Sequence, residues 1–374
     1  MSMTSKQRVH AALKRKPVDR VPIFMWFHPA TARRLGRLLE IPAAYVGQAM
    51  GNDIRQAWVS NNYAMEGIVH ENTGECHTDF WGIEWIKECE FNQIARFPLA
   101  GKAHEEILNY HWPLEHIDEL AEQMTAAIAE KEKFFIGCDV SPCVFELYCR
   151  LRGLEDGIFD IAAAPVLASE MFEQCADFSV KLAQYVCNRF EIDWLWSGDD
   201  VGSQMAMMIN PATWRIMVKP HLKRIHNVAK ERGLWVAFHS CGSIRPIIAD
   251  LIETGVDVLN PIQCNCPGME PLELKKEFGK KLAFMGGVDT QGVLPNGTAE
   301  QVTKATARLI NGMTGDGGGY ILAASHTIPS ETPDDNIFAM YEVAGLCREE
   351  IFDNAAYIRK TLSYSKSGNL AESN

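Results

Sequence analysis

No stretch of about 18 consecutive apolar residues occurs in the chain, which leaves no candidate in the sequence for a membrane-crossing helix. Positive charge is outnumbered: 36 lysines and arginines stand against 48 aspartates and glutamates, a formal net charge of −12. That balance offers no general attraction to nucleic acid or to anionic membrane surfaces. The opening stretch "MSMTSKQRVHAALKRK" is charged and amphipathic and lacks the long apolar centre of a secretory signal, so the expected location is the cytoplasm. Zinc-finger spacings are absent, which argues against a structural zinc. The 11 cysteines are an odd number scattered through a long chain, and they predict free thiols rather than a disulfide framework.

What is present is material for a large core. The 374 residues are 47% hydrophobic, enough for one large α/β barrel or for two domains. Thr4 and Gln7 make a capping box ahead of "RVHAALKRK", with Pro17 as a stop, and predict a first helix of roughly ten residues. A repeating pattern follows, in which an apolar run of strand length ends in polar residues and a long amphipathic stretch precedes the next run. The runs are "VPIFMWFH" (21–28), "KFFIGCD" (133–139), "IDWLWSGDD" (192–200), "LWVAFHSCG" (234–242), "VDVLNPIQC" (256–264), "KLAFMGGVD" (281–289) and "GYILAASH" (319–326).

Strand alternating with helix at this frequency implies a parallel sheet covered by helices. Seven runs, with room for an eighth before residue 130, predict an α/β fold of the (β/α)8 barrel type. A hairpin-like insertion is expected near the mouth at about 50–112, where "NTGECHTDFWGIEW" breaks the rhythm. Residues 1–362 are read as a single domain, and the polar tail 363–374 as lacking fixed structure.

Reactive side chains fall at the ends of these runs, and in a barrel those ends converge on one mouth. His239 and Cys241 are two apart along a strand, so both side chains lie on one side of the backbone, and imidazole with thiolate is a natural pair for zinc. A helix beginning near Ser243 would bring its positive end towards Cys241. The competing reading is a capped turn with Cys241 packed inertly. His326, or Cys264 and Cys266, could add a third ligand; His326 could equally donate a proton or bind substrate. Asp199 and Asp200 are adjacent and point differently, so one is expected to face substrate while the other caps a helix. Asp289 follows two glycines that permit close approach of a ligand. Trp26, His28, Trp81 and Trp196 are candidates for an aromatic wall, and Gln204 for a substrate contact, although an aromatic on an apolar run also serves as core.

Several stretches carry a resemblance over nearly the whole chain: "RVHAALKRKPVDRVPI", "WSGDDVGSQ", "FHSCGSIRPIIADLIETGVDVLNPIQ", "MGGVDTQGVLPNGT" and "GGGYILAASHTIPSETPDDNI". The chain resembles the uroporphyrinogen decarboxylase superfamily, whose fold is an α/β barrel. That superfamily includes tetrapyrrole decarboxylases and zinc-dependent, corrinoid-linked methyltransferases. The decarboxylase branch carries an arginine-rich segment near the first strand; this chain reads "FMWFHPAT" there, with no arginine until Arg33. "HSCG" is similar to the methyltransferase branch, and the resemblance implies that His239 and Cys241 are zinc ligands. Where that branch has its third ligand, a cysteine, this chain has Ser325 and His326, so His326 is the expected stand-in. The resemblance implies a zinc-dependent methyltransferase working with a corrinoid, and the absence of a "DxHxxG" motif implies that a partner protein carries it. The alternatives are a cofactor-free decarboxylase using Asp199 and His326, and a noncatalytic corrinoid- or metal-binding barrel.

Overall fold

The computed structural model describes residues 2–60, 70, 72–88 and 91–371. The fold is an α/β, TIM-type barrel, and its main sheet has the strand order β1-β5-β6-β7-β8-β9-β10, with consecutive strands joined through helices. Within it the chain forms two compact units, Arg55–Ala283 and Met1–Ile54 with Phe284–Asn374.

The unit Arg55–Ala283 carries most of the sheet. Strand β1 (Ile54–Trp58) supplies the run expected before residue 130, and β2 (Cys76–Thr78), β3 (Glu84–Glu88) and β4 (Phe91–Arg96) form a separate antiparallel sheet within the expected insertion. Part of that insertion, 61–69, 71 and 89–90, lies outside the described residues. Trp81 is buried there, edge-on to Trp112 and Phe178, and packs as core.

Strands β5 (Phe135–Asp139), β6 (Trp194–Gly198), β7 (Trp235–His239) and β8 (Val258–Ile262) pair in parallel. Every residue of β5, β6 and β8 is buried, as expected of a parallel sheet covered on both faces. Two registers set up the site: Gly198 lies opposite His239, and His239 opposite Asn260.

In the other unit, β9 (Ala283–Gly286) pairs through Phe284 and Met285 with β10 (Tyr320–Ile321). The run 21–28 makes only isolated parallel bridges, Ile23 to Leu322 and Phe27 to Ile328. Three residues between the bridges on one side therefore face five on the other, and His326 lies on the excursion that takes up the difference, with its side chain exposed. The first helix, Ser5–Leu13, has the capping box expected from Thr4 and Gln7. Asp53 is fully buried, where it pairs with Arg8 at 2.6 Å and Arg20 at 2.8 Å and accepts the Ile23 N–H at 2.9 Å. The final helix, Arg348–Ala371, takes in most of the stretch expected to be an unstructured tail; no proline interrupts it, and polar composition alone does not bar a helix. Among the described residues no helix is long and apolar enough to cross a membrane.

Candidate metal centre

His239 is the last residue of β7, and the parallel register sets it beside Asn260 of β8. Asn260 is fully buried, and its Oδ1 lies 2.7 Å from His239 Nδ1. A carbonyl oxygen only accepts, so Nδ1 carries a proton, and in the neutral ring the lone pair lies on Nε2. Anchoring one ring nitrogen in this way is what orients a histidine for metal binding through the other. The buried Trp196 ring, 6.0 Å from the imidazole, supports it from the neighbouring strand.

Cys241 lies two residues further on, and its Sγ is 3.5 Å from His239 Nε2. Asp200, from the end of β6, accepts the Cys241 N–H on Oδ1 at 2.7 Å, and that oxygen is 3.8 Å from His239 Nε2. Asp200, His239 and Cys241 are each half-buried and bring one donor atom apiece within 4.8 Å of one another. Donor chemistry and spacing both fit a divalent ion: at zinc, with ligand bonds of 2.0–2.3 Å, tetrahedral neighbours stand about 3.3–3.8 Å apart, the range of the His239–Cys241 separation.

The loop conformation is fixed by tight backbone packing. Gly242 has φ +80°, and a Cβ there would come within 2.5 Å of the Ser203 carbonyl oxygen, so glycine is required on both counts. The Gly242 N–H donates to Gln263 Oε1 at 2.7 Å, Ser243 N–H donates to the Ser203 carbonyl, and Ser240 Oγ accepts the Val201 N–H. This turn is why the following helix starts later than expected: a 3-10 turn, Arg245–Ile247, precedes a helix only at Ile248–Thr254. The expected favouring of a Cys241 thiolate by a helix beginning at Ser243 is thereby corrected.

Of the two adjacent aspartates expected to divide between substrate and a helix cap, Asp199 is the cap. Its carboxylate is fully buried and accepts the N–H groups of Val144, Phe145 and Glu146, capping the helix Phe145–Arg152. Burial pushes its pKa up to about 7 against those three donors, with the Glu146 carboxylate adding to the rise. It is a structural group, and its neighbour Asp200 is the one that faces the cluster. Glu146 also accepts the Asp200 N–H on Oε2 at 3.0 Å and is paired with Arg150 one turn along its helix.

The other expected site residues are placed as follows. In the same unit, Gln204 is exposed and accepts from the Cys266 thiol at 3.5 Å, burial raises the Cys266 pKa, and Cys264 sits against Asn265. In the other unit, Asp289 accepts the N–H groups of Gln291, Gly292 and Val293. His28 is buried and caps the helix Pro29–Leu39 through Nδ1, and Trp26 is half-buried and edge-on to Phe24. Sequence reasoning missed Asn260, Gln263 and Glu146. They reach the centre only through strand register and loop packing, and in the sequence they are ordinary polar residues; the parallel alignment of the two neighbouring runs was the one signal available for Asn260.

The family model described as uroporphyrinogen decarboxylase (URO-D) matches residues 143–345. Two curated relatives both bear the name Methylcobamide:CoM methyltransferase MtbA. The one from Methanosarcina mazei is 23% identical over 353 residues, 91% of this chain and 97% of the relative. The one from Methanosarcina acetivorans is 22% identical over 351 residues, with the same coverage of 91% and 97%. A solved structure of a methyltransferase from Methanosarcina mazei aligns with a TM-score of 0.68 at 16% identity, over 92% of this chain and 99% of its own, a likeness of fold.

Proposed function

We propose, from the premise that the chain belongs to the uroporphyrinogen decarboxylase family, that it is a methyltransferase. Its reaction moves a methyl group between a corrinoid, carried by a separate protein, and a small methyl donor or thiol acceptor, with zinc held in part by His239 and Cys241. The observation that carries the reading is the pair His239 Nε2 and Cys241 Sγ at 3.5 Å, with the other imidazole nitrogen fixed by Asn260. Alignment with two methylcobamide:CoM methyltransferases over nine-tenths of the chain supports the reaction class.

When bound, zinc supplies Lewis acidity that lowers the pKa of a coordinated thiol or polarises the heteroatom of a methyl donor. The chain's own residues do the rest. Asn260 holds the Nδ1 proton of His239, so in the neutral ring Nε2 is the nitrogen offered to a metal. Cys241 must give up its thiol proton to act as a ligand, which makes metal uptake release a proton. The end of β7 holds His239, and the packed loops after β6 and β7 hold Cys241 beside it.

The decarboxylase alternative needs a carboxylate beside the substrate, and Asp199, the group expected for it, is enclosed as a helix cap. The test is metal analysis of the purified protein together with methyl transfer between a corrinoid and a panel of thiols and methyl ethers. Stoichiometric zinc and transfer to a thiol or from an ether are expected. Decarboxylation of uroporphyrinogen, or corrinoid binding with no transfer of methyl to or from any panel compound, contradicts the proposal.

A further inference from the structure

We infer that Asp200 supplies the third protein ligand of the metal, in the position the sequence assigns to His326; this rests on the zinc reading above. Geometry is the first argument. Asp200 Oδ1 is 3.8 Å from His239 Nε2, and Cys241 Sγ is 3.5 Å from the same nitrogen. For ligand bonds of 2.0–2.3 Å a zinc tetrahedron has a nitrogen–sulfur edge of about 3.5 Å, which the second separation matches, and a nitrogen–oxygen edge of about 3.4 Å, which the first exceeds by about 0.4 Å. All three donor atoms lie within 4.8 Å of one another, close enough for one ion to be shared among them.

The second argument is how the carboxylate is held. Adjacent residues at the end of β6 divide the work: Asp199 turns inward to cap the helix Phe145–Arg152, and Asp200 turns to the cluster. The Asp200 backbone is fixed because its N–H donates to Glu146 Oε2, and Glu146 is itself paired with Arg150; both side chains are largely buried. The Cys241 N–H uses one lone pair of Asp200 Oδ1, and a carboxylate oxygen has a second to offer. Glu146 is thus a positioning residue for the proposed ligand.

The third argument is charge. A thiolate from Cys241 and a carboxylate from Asp200 together neutralise a divalent cation, whereas two imidazoles and one thiolate leave it with a net positive charge. Neutral assemblies are the less costly ones to hold in a half-buried site. Three protein ligands leave the fourth tetrahedral position for substrate.

The rival explanation is that Asp200 serves only as acceptor for the Cys241 N–H. The substitution Asp200→Asn separates the two, because the amide oxygen still accepts that N–H but is a poor zinc ligand. The full-length protein, stripped of metal, is titrated with zinc against a chromophoric chelator and with cobalt(II) as a spectroscopic probe. Wild type is expected to bind one ion, with a thiolate-to-cobalt charge-transfer band and the intense visible bands of four-coordination. Asp200→Asn is expected to keep the wild-type melting temperature without metal and to lose more than about 100-fold in zinc affinity, beyond what loss of an outer partner costs. It should retain the thiolate band while the four-coordinate bands weaken. Asp200→Glu, which keeps a carboxylate, should recover part of the affinity, and His326→Ala should bind as wild type does. Affinity of Asp200→Asn within about 3-fold of wild type, far short of the loss expected for a ligand, overturns the inference. So does loss of affinity in His326→Ala. If Asp200→Asn proves unfolded, the comparison of Asp200→Glu with His326→Ala decides: affinity lowered but not abolished in the first with none lost in the second supports Asp200, and wild-type affinity in the first or a loss in the second overturns it. Failure of wild type itself to bind zinc, or indifference to Cys241→Ala, defeats the zinc reading instead and so is told apart.

Discussion

His239 Nδ1 and Asn260 Oδ1 are 2.7 Å apart because the parallel register of β7 and β8 sets the two residues side by side. That one hydrogen bond decides which nitrogen of His239 is available at the centre. Asn260→Ala should therefore free the ring to rotate and change tautomer, and weaken zinc binding by about 10–100-fold without altering its stoichiometry. Competition titration of the metal-free protein measures this.

Asp199→Ala should act on stability and not on coordination. It removes the acceptor of three buried N–H groups at the start of the helix Phe145–Arg152, at a cost of about 2 kcal/mol. Denaturant unfolding should register the loss, and the variant should still take up one equivalent of metal.

His226, a residue outside the cluster, sets a pH dependence of its own. It is fully buried, with Nδ1 3.0 Å from Thr254 Oγ1 and Nε2 2.9 Å from Ser197 Oγ. Thr254 gives its own proton to the Leu251 carbonyl, so it accepts from Nδ1–H, and Nε2 accepts from Ser197. Burial holds the His226 pKa down to about 3, against 6.5 for a free histidine. The folded state keeps His226 neutral while the unfolded chain takes up a proton. The contribution is therefore complete above about pH 6.5 and falls by about 1.4 kcal/mol per pH unit towards pH 3. The difference in unfolding free energy between wild type and His226→Gln, measured at pH 7 and pH 5, isolates this contribution from that of Asp199 and should shift against the wild type as the pH falls.

Asp53→Ala should be among the most damaging substitutions. It leaves Arg8 and Arg20 as cations without the buried carboxylate that both face, and the loss of one member of such a group costs about 3–5 kcal/mol. Arg8 retains Asp19 at 2.7 Å, so Arg8→Ala should cost less than Asp53→Ala. Paired denaturation curves test the ranking.

The barrel was legible in the sequence because each strand is a short apolar run closed by polar residues, and β5 to β10 fall within the runs read as strands. The run 21–28 was legible as a strand but pairs only at isolated bridges, since the longer segment opposite bulges around His326. His239 and Cys241 could be singled out by their spacing at a strand end. The same signal misleads elsewhere, because a polar residue after a strand is also where a helix cap belongs. Asp199, His28 and Asp289 all engage backbone N–H groups in this way. Asn260, Gln263 and Glu146 were hidden for the opposite reason: an amide or acid within an ordinary run gains its role only from what register and loop packing place beside it.

The central claim, a methyltransferase whose chemistry depends on a metal held by His239 and Cys241, is tested most directly by one assay. Methyl transfer between methylcobalamin and a thiol panel is followed in the protein as purified, after chelation and after zinc is restored, with Cys241→Ala alongside. The account predicts that transfer is lost on chelation, returns with zinc, and stays absent in Cys241→Ala at unchanged melting temperature. Transfer that persists in the metal-free protein, or in Cys241→Ala at the wild-type rate, would contradict it.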